Sequence, residues 1–365
     1  MQLLLAKLAV LATSILPFCV YSLTVTGAQC IDPVVRKEWR KLSVSEKADW
    51  ISAVKCLSNL PHDDALSPTV KPSDIVAVNT SGSYYDDIVY MHMDLNHVIH
   101  FTGLFFPWHR WYVHSFESAL KSKCGFAGAS PYWNWSIDAP EFQGSSFFKD
   151  SDPESGLGGW GDPSRDFEVP TGGFSNFHLS YPSSHILRRN FTLRPYLNDN
   201  SSFFPNPQLM ANVTFTKAEV RKMVDGFKGD YKGLQKYMEG FQGAHGSVHE
   251  ISGGDLAGYC PANAPASCVD GSPTFSANEP LFFMHHAMVD KVWFDWQHKH
   301  SSNFWAYEGG SVQAFDNLTE YNTYPNGAPP ALTFASPMPA DGMFPQATIQ
   351  DVVNTTGGFL CYVYE

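Results

Sequence analysis

Residues His100 to Glu117 read HFTGLFFPWHRWYVHSFE. His100 and His109 bracket an apolar run ending in Pro107-Trp108, and the residues beyond it repeat with helical spacing. Proline suits a first helical turn because its missing N–H would have no partner there. The spacing therefore predicts a helix from about Trp108 to Lys121, starting almost at His109 and closed by Cys124 and Gly125. A histidine behind phenylalanines and a tryptophan sits in a dry place, where it serves as a ligand, a base or a satisfied core group. The stretch alone leaves all three open.

Working upstream, Ile88, Met91, Leu95, Val98 and Ile99 form an apolar stripe between Tyr84 and His100, and His92 lies on it. A polar side chain facing a core needs a partner, and a metal is one. A further helix is expected within 33–60, where Ser43-Val-Ser-Glu46 is a capping box followed by Ala48, Ile51, Val54 and Leu57. Downstream, 125–210 is rich in Gly, Pro, Ser and Asn without a sustained period, which reads as long ordered loops with short strands. It contains His178 and His185, whose spacing supports no ligand role. Helical signals return at Thr216-Lys-Ala-Glu219 and continue with interruptions to Phe241. In QGAHGSVHEISGG, His245 and His249 stand four apart on one helix face, and Gly253-Gly254 offers a stop. In ANEPLFFMHHAMVDKVWFDWQ, Asn278 reads as an N-cap and Pro280 as a first-turn residue. Phe282, His286, Val289, Trp293 and Trp296 make one stripe there. From Ser301 onward turns and short strands are expected. The fold class this implies is mainly α, a four-helix-bundle core of two antiparallel helix pairs with long loops and short peripheral β-strands.

The composition of the 365-residue chain, 44% hydrophobic and 15% aromatic, is that of a packed globular protein. Its formal net charge of −12 disfavours nucleic acid or an anionic membrane as partner. An apolar run, LAVLATSILPFCV, follows Lys7 and is interrupted by Pro17, which fits a secretory signal over 1–22, or as far as 28, better than a membrane span. The rest, 23–365, is expected to be one domain. Removal of the signal takes Cys19 with it and leaves Cys30, Cys56, Cys124, Cys260, Cys268 and Cys361. In a secreted chain these read as three disulfides, for which about fifteen pairings exist. The preferred set is Cys30–Cys361, Cys56–Cys124 and Cys260–Cys268. N-x-S/T sequons at Asn79, Asn134, Asn190, Asn200, Asn212, Asn317 and Asn354 agree with a secreted glycoprotein, with Asn134 expected to be too buried for modification.

Six histidines thus stand on helices or at their starts: His92, His100 and His109 upstream, and His245, His249 and His286 downstream. Three imidazoles per site suit zinc, copper, iron or nickel alike. No carboxylate joins them, whereas paired hydrolytic metals sit among oxygen ligands. Two all-imidazole sites fit two copper ions cycling between Cu(I) and Cu(II). Such a pair exchanges two electrons with dioxygen, matching a substrate such as an ortho-diphenol that gives up two electrons and two protons.

With these residues in view, HFTGLFFPWHRWYVHSFE resembles the first copper signature of the tyrosinase and catechol oxidase family, and EPLFFMHHAMVD the second. AHGSVH is similar to the paired-histidine element between them. RKEWRKLS at 36–43 and the terminal Tyr-x-Tyr resemble the edges of the core domain of secreted fungal members, so the likeness covers nearly all of the mature chain. It implies one copper on His92, His100 and His109 and a second on His245, His249 and His286, with His286 chosen over His285 because it lies four before Asp290 and four after Phe282. It also implies that Phe282 lies over the second copper as part of the substrate pocket and that Asp290 orients an imidazole. His97, His114 and His285 fall off the pattern and read as core or surface residues.

The chain departs from that pattern in three places. Glu279 replaces the aspartate opening the second signature, which bears on the helix cap. Val98 stands where many fungal members carry a cysteine joined to a histidine, so no thioether is expected. Gly246 follows His245 where efficient phenol-hydroxylating members often have an asparagine that, with a nearby glutamate, is thought to hold a proton-accepting water. A phenol has a pKa of about 10 and must lose its proton to bind copper well. Oxidation of o-diphenols to o-quinones, with dioxygen and a small phenol as the partners, is therefore expected, with weak or no monophenol hydroxylation. Glu250 is either an alternative base or a charged residue at the pocket rim. The competing readings are a true tyrosinase and a haemocyanin-like oxygen binder; no C-terminal shielding domain is expected after Tyr-x-Tyr, which speaks against the latter.

Overall fold

Two serines open the first two long helices by the same device. The Ser43 hydroxyl accepts the Glu46 N–H at 3.2 Å while the Glu46 carboxylate accepts the Ser43 N–H at 2.7 Å, starting α1 (Val44–Leu57). Ser83 and Asp86 repeat the exchange at the start of α2 (Tyr84–Ile99). The computed structural model describes residues 30–199, 201–271 and 273–365; the expected signal segment and the Asn200 sequon lie outside them.

The expected helix over 33–60 is shorter than its span. Val34–Arg36 is instead β1, followed by a short 3-10 turn at Trp39–Lys41. β1 pairs in parallel with β6 (Tyr362–Tyr364), Val34 opposite Tyr362 and Arg36 opposite Tyr364. A partner at the far end of the chain thus overrides local preference. Arg36 is drawn into the core, its guanidinium carbon 3.6 Å from the Tyr362 ring centroid and its Nη2 3.0 Å from Glu117 Oε2.

α3 (Phe105–Cys124) begins before Pro107, which becomes its third residue. The N–H groups of a first turn have no intrahelical acceptor, so proline is tolerated there as well as at the first position. Gly125, at φ 71°, closes α3, and the Phe126 N–H reaches back to the Leu120 carbonyl. Long loops follow with one small hairpin, β2 (His178–Leu179) and β3 (His185–Ile186). Then come α4 (Lys217–Asp225), α5 (Tyr231–Glu239), α6 (Ala244–Ser252) and α7 (Leu281–Lys299). Asn278 does not cap α7. Its Nδ2 donates to the Tyr181 carbonyl, while Glu279 Oε1 accepts the Leu281 N–H and both Glu279 oxygens accept from buried Arg189. Beyond α7 lie β4 (Gly310–Val312), α8 (Leu318–Thr323), β5 (Ala328–Ala331), α9 (Ile349–Val353) and β6.

The helices α2, α3, α6 and α7 carry the clustered histidines and form the mainly helical core expected from the periodicity. α3 and α7 meet through Phe116 stacked on Phe283 at 3.5 Å and Phe106 stacked on Trp293 at 5.5 Å. The Tyr112 hydroxyl joins α3 to α2 at the Ile88 carbonyl. Disulfides link Cys30 to Cys361, Cys56 to Cys124 and Cys260 to Cys268, the preferred pairing.

Candidate metal centre

His92 leaves the middle of α2, His100 ends that helix, and His109 lies one turn into α3. Their ring centroids are 5.1, 5.8 and 4.9 Å apart, and their nearest nitrogens lie within 4.8 Å of one another. His100 has left helical geometry, at φ −114°, ψ 144°, which turns its ring across the end of the helix toward the other two.

His245 and His249, one turn apart on α6, meet His286 from α7 with centroids 4.7, 5.1 and 5.8 Å apart. The two clusters touch: His109 stacks on His286 at 4.3 Å, and His100 lies 6.0 Å from His245. His285 also belongs to the downstream group, 4.7 Å from His249, with both ring nitrogens buried and unpartnered. Sequence reasoning set it aside; the adjacent pair of histidines was the one available signal. Of the remaining histidines, His97 is half exposed near Asp74, His178 is exposed, and His185 bonds Asp255. None of them joins a cluster.

Backbone carbonyls orient the imidazoles. Nδ1 of His92 faces the Thr274 carbonyl at 2.8 Å, His100 that of Asn96 at 3.3 Å, His109 that of Phe105 at 2.7 Å and His249 that of Leu256 at 2.6 Å. A carbonyl accepts only, so each Nδ1 carries the proton and Nε2 turns inward as a lone-pair donor. Asp290 does not take the role expected of it. Its oxygens accept from Arg110 Nε at 2.5 Å and from the hydroxyls of Tyr362 and Tyr364 at 2.5 and 2.6 Å, and no histidine reaches it.

A cavity of about 200 Å³ opens beside the clusters, lined by His100, His245, His249, Tyr196, Phe204 and Phe241 among others. Gly246 and Glu250 line it as expected, whereas Phe282 does not. Phe282 is fully buried behind the imidazoles, 4.2 Å from His286 and 5.0 Å from His92. Glu250 is held by the Tyr259 hydroxyl at 3.0 Å, and burial pushes its carboxyl up to about 7. A second carboxylate, Glu239, also lines the cavity. Its oxygens accept the Phe101 N–H at 2.6 Å and Gln235 Nε2 at 2.8 Å, and burial raises it to about 8. Nothing in the periodicity of α5 marked Glu239.

The family model of the common central domain of tyrosinase matches residues 82–299, which contain every clustered histidine. The chain belongs to the tyrosinase family. A tyrosinase-like protein, phomQ1, of Diaporthe leptostromiformis is 29% identical over 358 residues, covering 92% of this chain and 79% of the relative. The N-acetyl-6-hydroxytryptophan oxidase ivoB of Emericella nidulans is 28% identical over 99% of this chain and 100% of its own length. A polyphenol oxidase variant from Thermothelomyces thermophila shares the fold with a TM-score of 0.66 at 23% identity, covering 93% of this chain and 91% of that one.

As a tyrosinase-family protein the chain is a copper-dependent oxidoreductase with two copper ions as cofactor, and its residues suit that pair. Nε2 of His92, His109, His245 and His249 is buried without a hydrogen-bond partner. Such orphaned acceptors are rare unless a ligand uses them. Copper requires neutral imidazole. Burial holds the rings in that form, lowering His92 to about 3 and His249 to about 4 and the other clustered histidines well below their usual value.

Proposed function

We propose that this tyrosinase-family enzyme oxidises o-diphenols to o-quinones, with His92, His100 and His109 holding one copper and His245, His249 and His286 the other. The copper pair supplies two-electron exchange with dioxygen. The chain's own residues orient the ligands, size the substrate and manage its protons. A cavity of about 200 Å³ is below the range of about 300–1,000 Å³ typical of drug-sized ligands and favours a single-ring phenol.

The observation that carries the diphenol preference is Gly246. It gives the cavity wall beside His245 no side chain to fix a water, and both oxygens of neighbouring Glu239 already accept amide protons. A catechol needs less help, since its two hydroxyls deliver their protons to reduced oxygen as they are oxidised. One observation favours a measure of monophenol hydroxylation: Glu250 faces the cavity, is raised to about 7 and is hydrogen-bonded through one oxygen. At neutral pH it is partly ionised and suits a general base.

Gly246→Asn tests the preference. A Cβ there meets only the Phe241 carbonyl, at 3.6 Å, an ordinary contact. The monophenol-to-catechol rate ratio is expected to rise about tenfold or more. An unchanged ratio in a folded, copper-loaded variant would contradict the role given to Gly246.

We also read 23–365 as a single domain, supported by one hydrophobic cluster running from Trp39 to Tyr364. Secretion is proposed on the three disulfides, which persist in oxidising compartments. Among the described residues no helix is long and apolar enough to cross a membrane.

A further inference from the structure

Of the clustered histidines, His92 and His249 find acceptors outside their own helices, at opposite ends of one loop. Leu256 offers its carbonyl to His249 Nδ1 at 2.6 Å, and Thr274 offers its carbonyl to His92 Nδ1 at 2.8 Å. Between them Ala257 and Gly271 are part of the cavity wall, and the Tyr259 hydroxyl holds Glu250. The middle of the loop contains the Cys260–Cys268 disulfide.

We propose that residues 256–271, with Thr274 beyond them, form a strap that aligns one imidazole of each histidine cluster, and that the Cys260–Cys268 disulfide keeps the strap in register. This deepens the reading of His92 and His249 as copper ligands and rests on it.

The strap starts from a rigid anchor. Gly253 and Gly254, at φ 60° and 54°, press against the backbone of Asn190 and Arg188 so closely that no side chain fits at either position. Asp255 then accepts the Arg188 N–H at 2.7 Å and His185 Nε2 at 2.9 Å, and Arg188 Nη1 donates to the Tyr259 carbonyl at 2.8 Å. Among the described residues beyond Tyr259 no helix or strand is present until the 3-10 turn at Pro273–Asn278. Among the described residues the two limbs are linked by the disulfide, the Cys260 N–H to Asp270 Oδ1 at 2.7 Å and the Gly271 N–H to the Gly258 carbonyl at 3.2 Å, while the Ala262 N–H to Asp166 Oδ2 and Asn263 Nδ2 to the Ser184 carbonyl, each at 2.9 Å, tie the outgoing limb to neighbouring loops. Together the links between the limbs draw the return limb back toward Gly258, from which Thr274 reaches His92. A backbone carbonyl has no identity of its own to vary, so its aim depends on what fixes the loop. Partners of this kind change metal affinity by about 10–100-fold when lost.

The test uses the copper-loaded full chain. Cys260→Ser/Cys268→Ser is compared with Cys56→Ser/Cys124→Ser, which opens a disulfide tying α1 to α3, away from the histidines. Copper retained per chain after dialysis against a graded chelator is the readout, with far-UV circular dichroism reporting the fold. The strap variant is expected to release both ions at about tenfold or more lower chelator concentration, and the control to retain them like the parent. Parental retention in the strap variant, or equal loss in both, overturns the proposal. If the strap variant does not fold, Asp270→Ala, at an exposed position, loosens the same closure. A smaller loss of retention then supports the strap and parental retention overturns it. His92→Ala and His249→Ala separate the two readings: full copper there refutes the ligand assignment, whereas copper loss there with parental retention in the strap variants refutes the strap alone.

Discussion

Glu250 and Glu239 line the same cavity yet are bound differently. Glu239 spends both oxygens on amide donors, while Glu250 accepts the Tyr259 hydroxyl through one oxygen. Glu250→Gln is accordingly expected to keep catechol oxidation within about threefold and to cut residual monophenol hydroxylation by about 100-fold, the usual weight of a general base. Initial rates on the matched pair of substrates check this, and equal losses on both would show that Glu250 serves binding or folding. At this scale the sequence was informative about which histidines cluster and poor about their surroundings. Spacings of four residues and apolar stripes brought out His92, His109, His245, His249 and His286. The groups that orient them are main-chain carbonyls, which every residue has, so Leu256 and Thr274 left no trace. The orienting role of Asp290 is an implication of the family resemblance alone, and its partners in the structure, Arg110, Tyr362 and Tyr364, lie far away in sequence.

Helices were legible because their causes are local: an apolar period, a capping box, a glycine stop. α2 follows its predicted span almost residue for residue. β1 was missed because its reason lies in β6, and the start of α3 was misplaced because proline is tolerated throughout a first turn. α2 also carries a pH-sensitive contact away from the metal centre. Asp94 accepts the N–H groups of Thr69, Val70 and Lys71, and Asp341, held by the Thr69 hydroxyl at 2.7 Å, lies near it. Burial and the Asp94 charge push Asp341 from its usual 3.8 up to about 7. A raised carboxyl contributes stability that is full below about 3.8 and is lost as pH rises through about 7. Asp341→Asn should therefore gain stability relative to the parent between pH 5 and 8 in copper-free urea unfolding. A parent-to-variant difference that is flat over that range would contradict the assignment.

Across the whole molecule, the ends of the described chain are fastened to the metal-bearing helices by one buried network. Arg36 from β1, Tyr362 and Tyr364 from β6, Arg110 from α3 and Asp290 from α7 meet there, with Glu117 on Arg36. Burial alone would push Glu117 up, but Arg36 and Lys121 outweigh it and hold the carboxyl at about 2. Removing one member of a buried charged network leaves the others unpaired and costs about 3–5 kcal/mol. Asp290→Asn is expected to lower unfolding stability by that amount while copper binding survives in the folded fraction, since no histidine touches Asp290. A loss below about 1 kcal/mol in urea unfolding would contradict it.

Two imidazole clusters that form a dicopper site would oxidise catechols in preference to phenols. Oxygen uptake by the copper-loaded protein, with a catechol and its matching monophenol side by side, tests it most directly. Prompt uptake is expected with the catechol, and uptake that is absent or strongly delayed with the monophenol. Equally prompt uptake with the monophenol, or none with either, would contradict it.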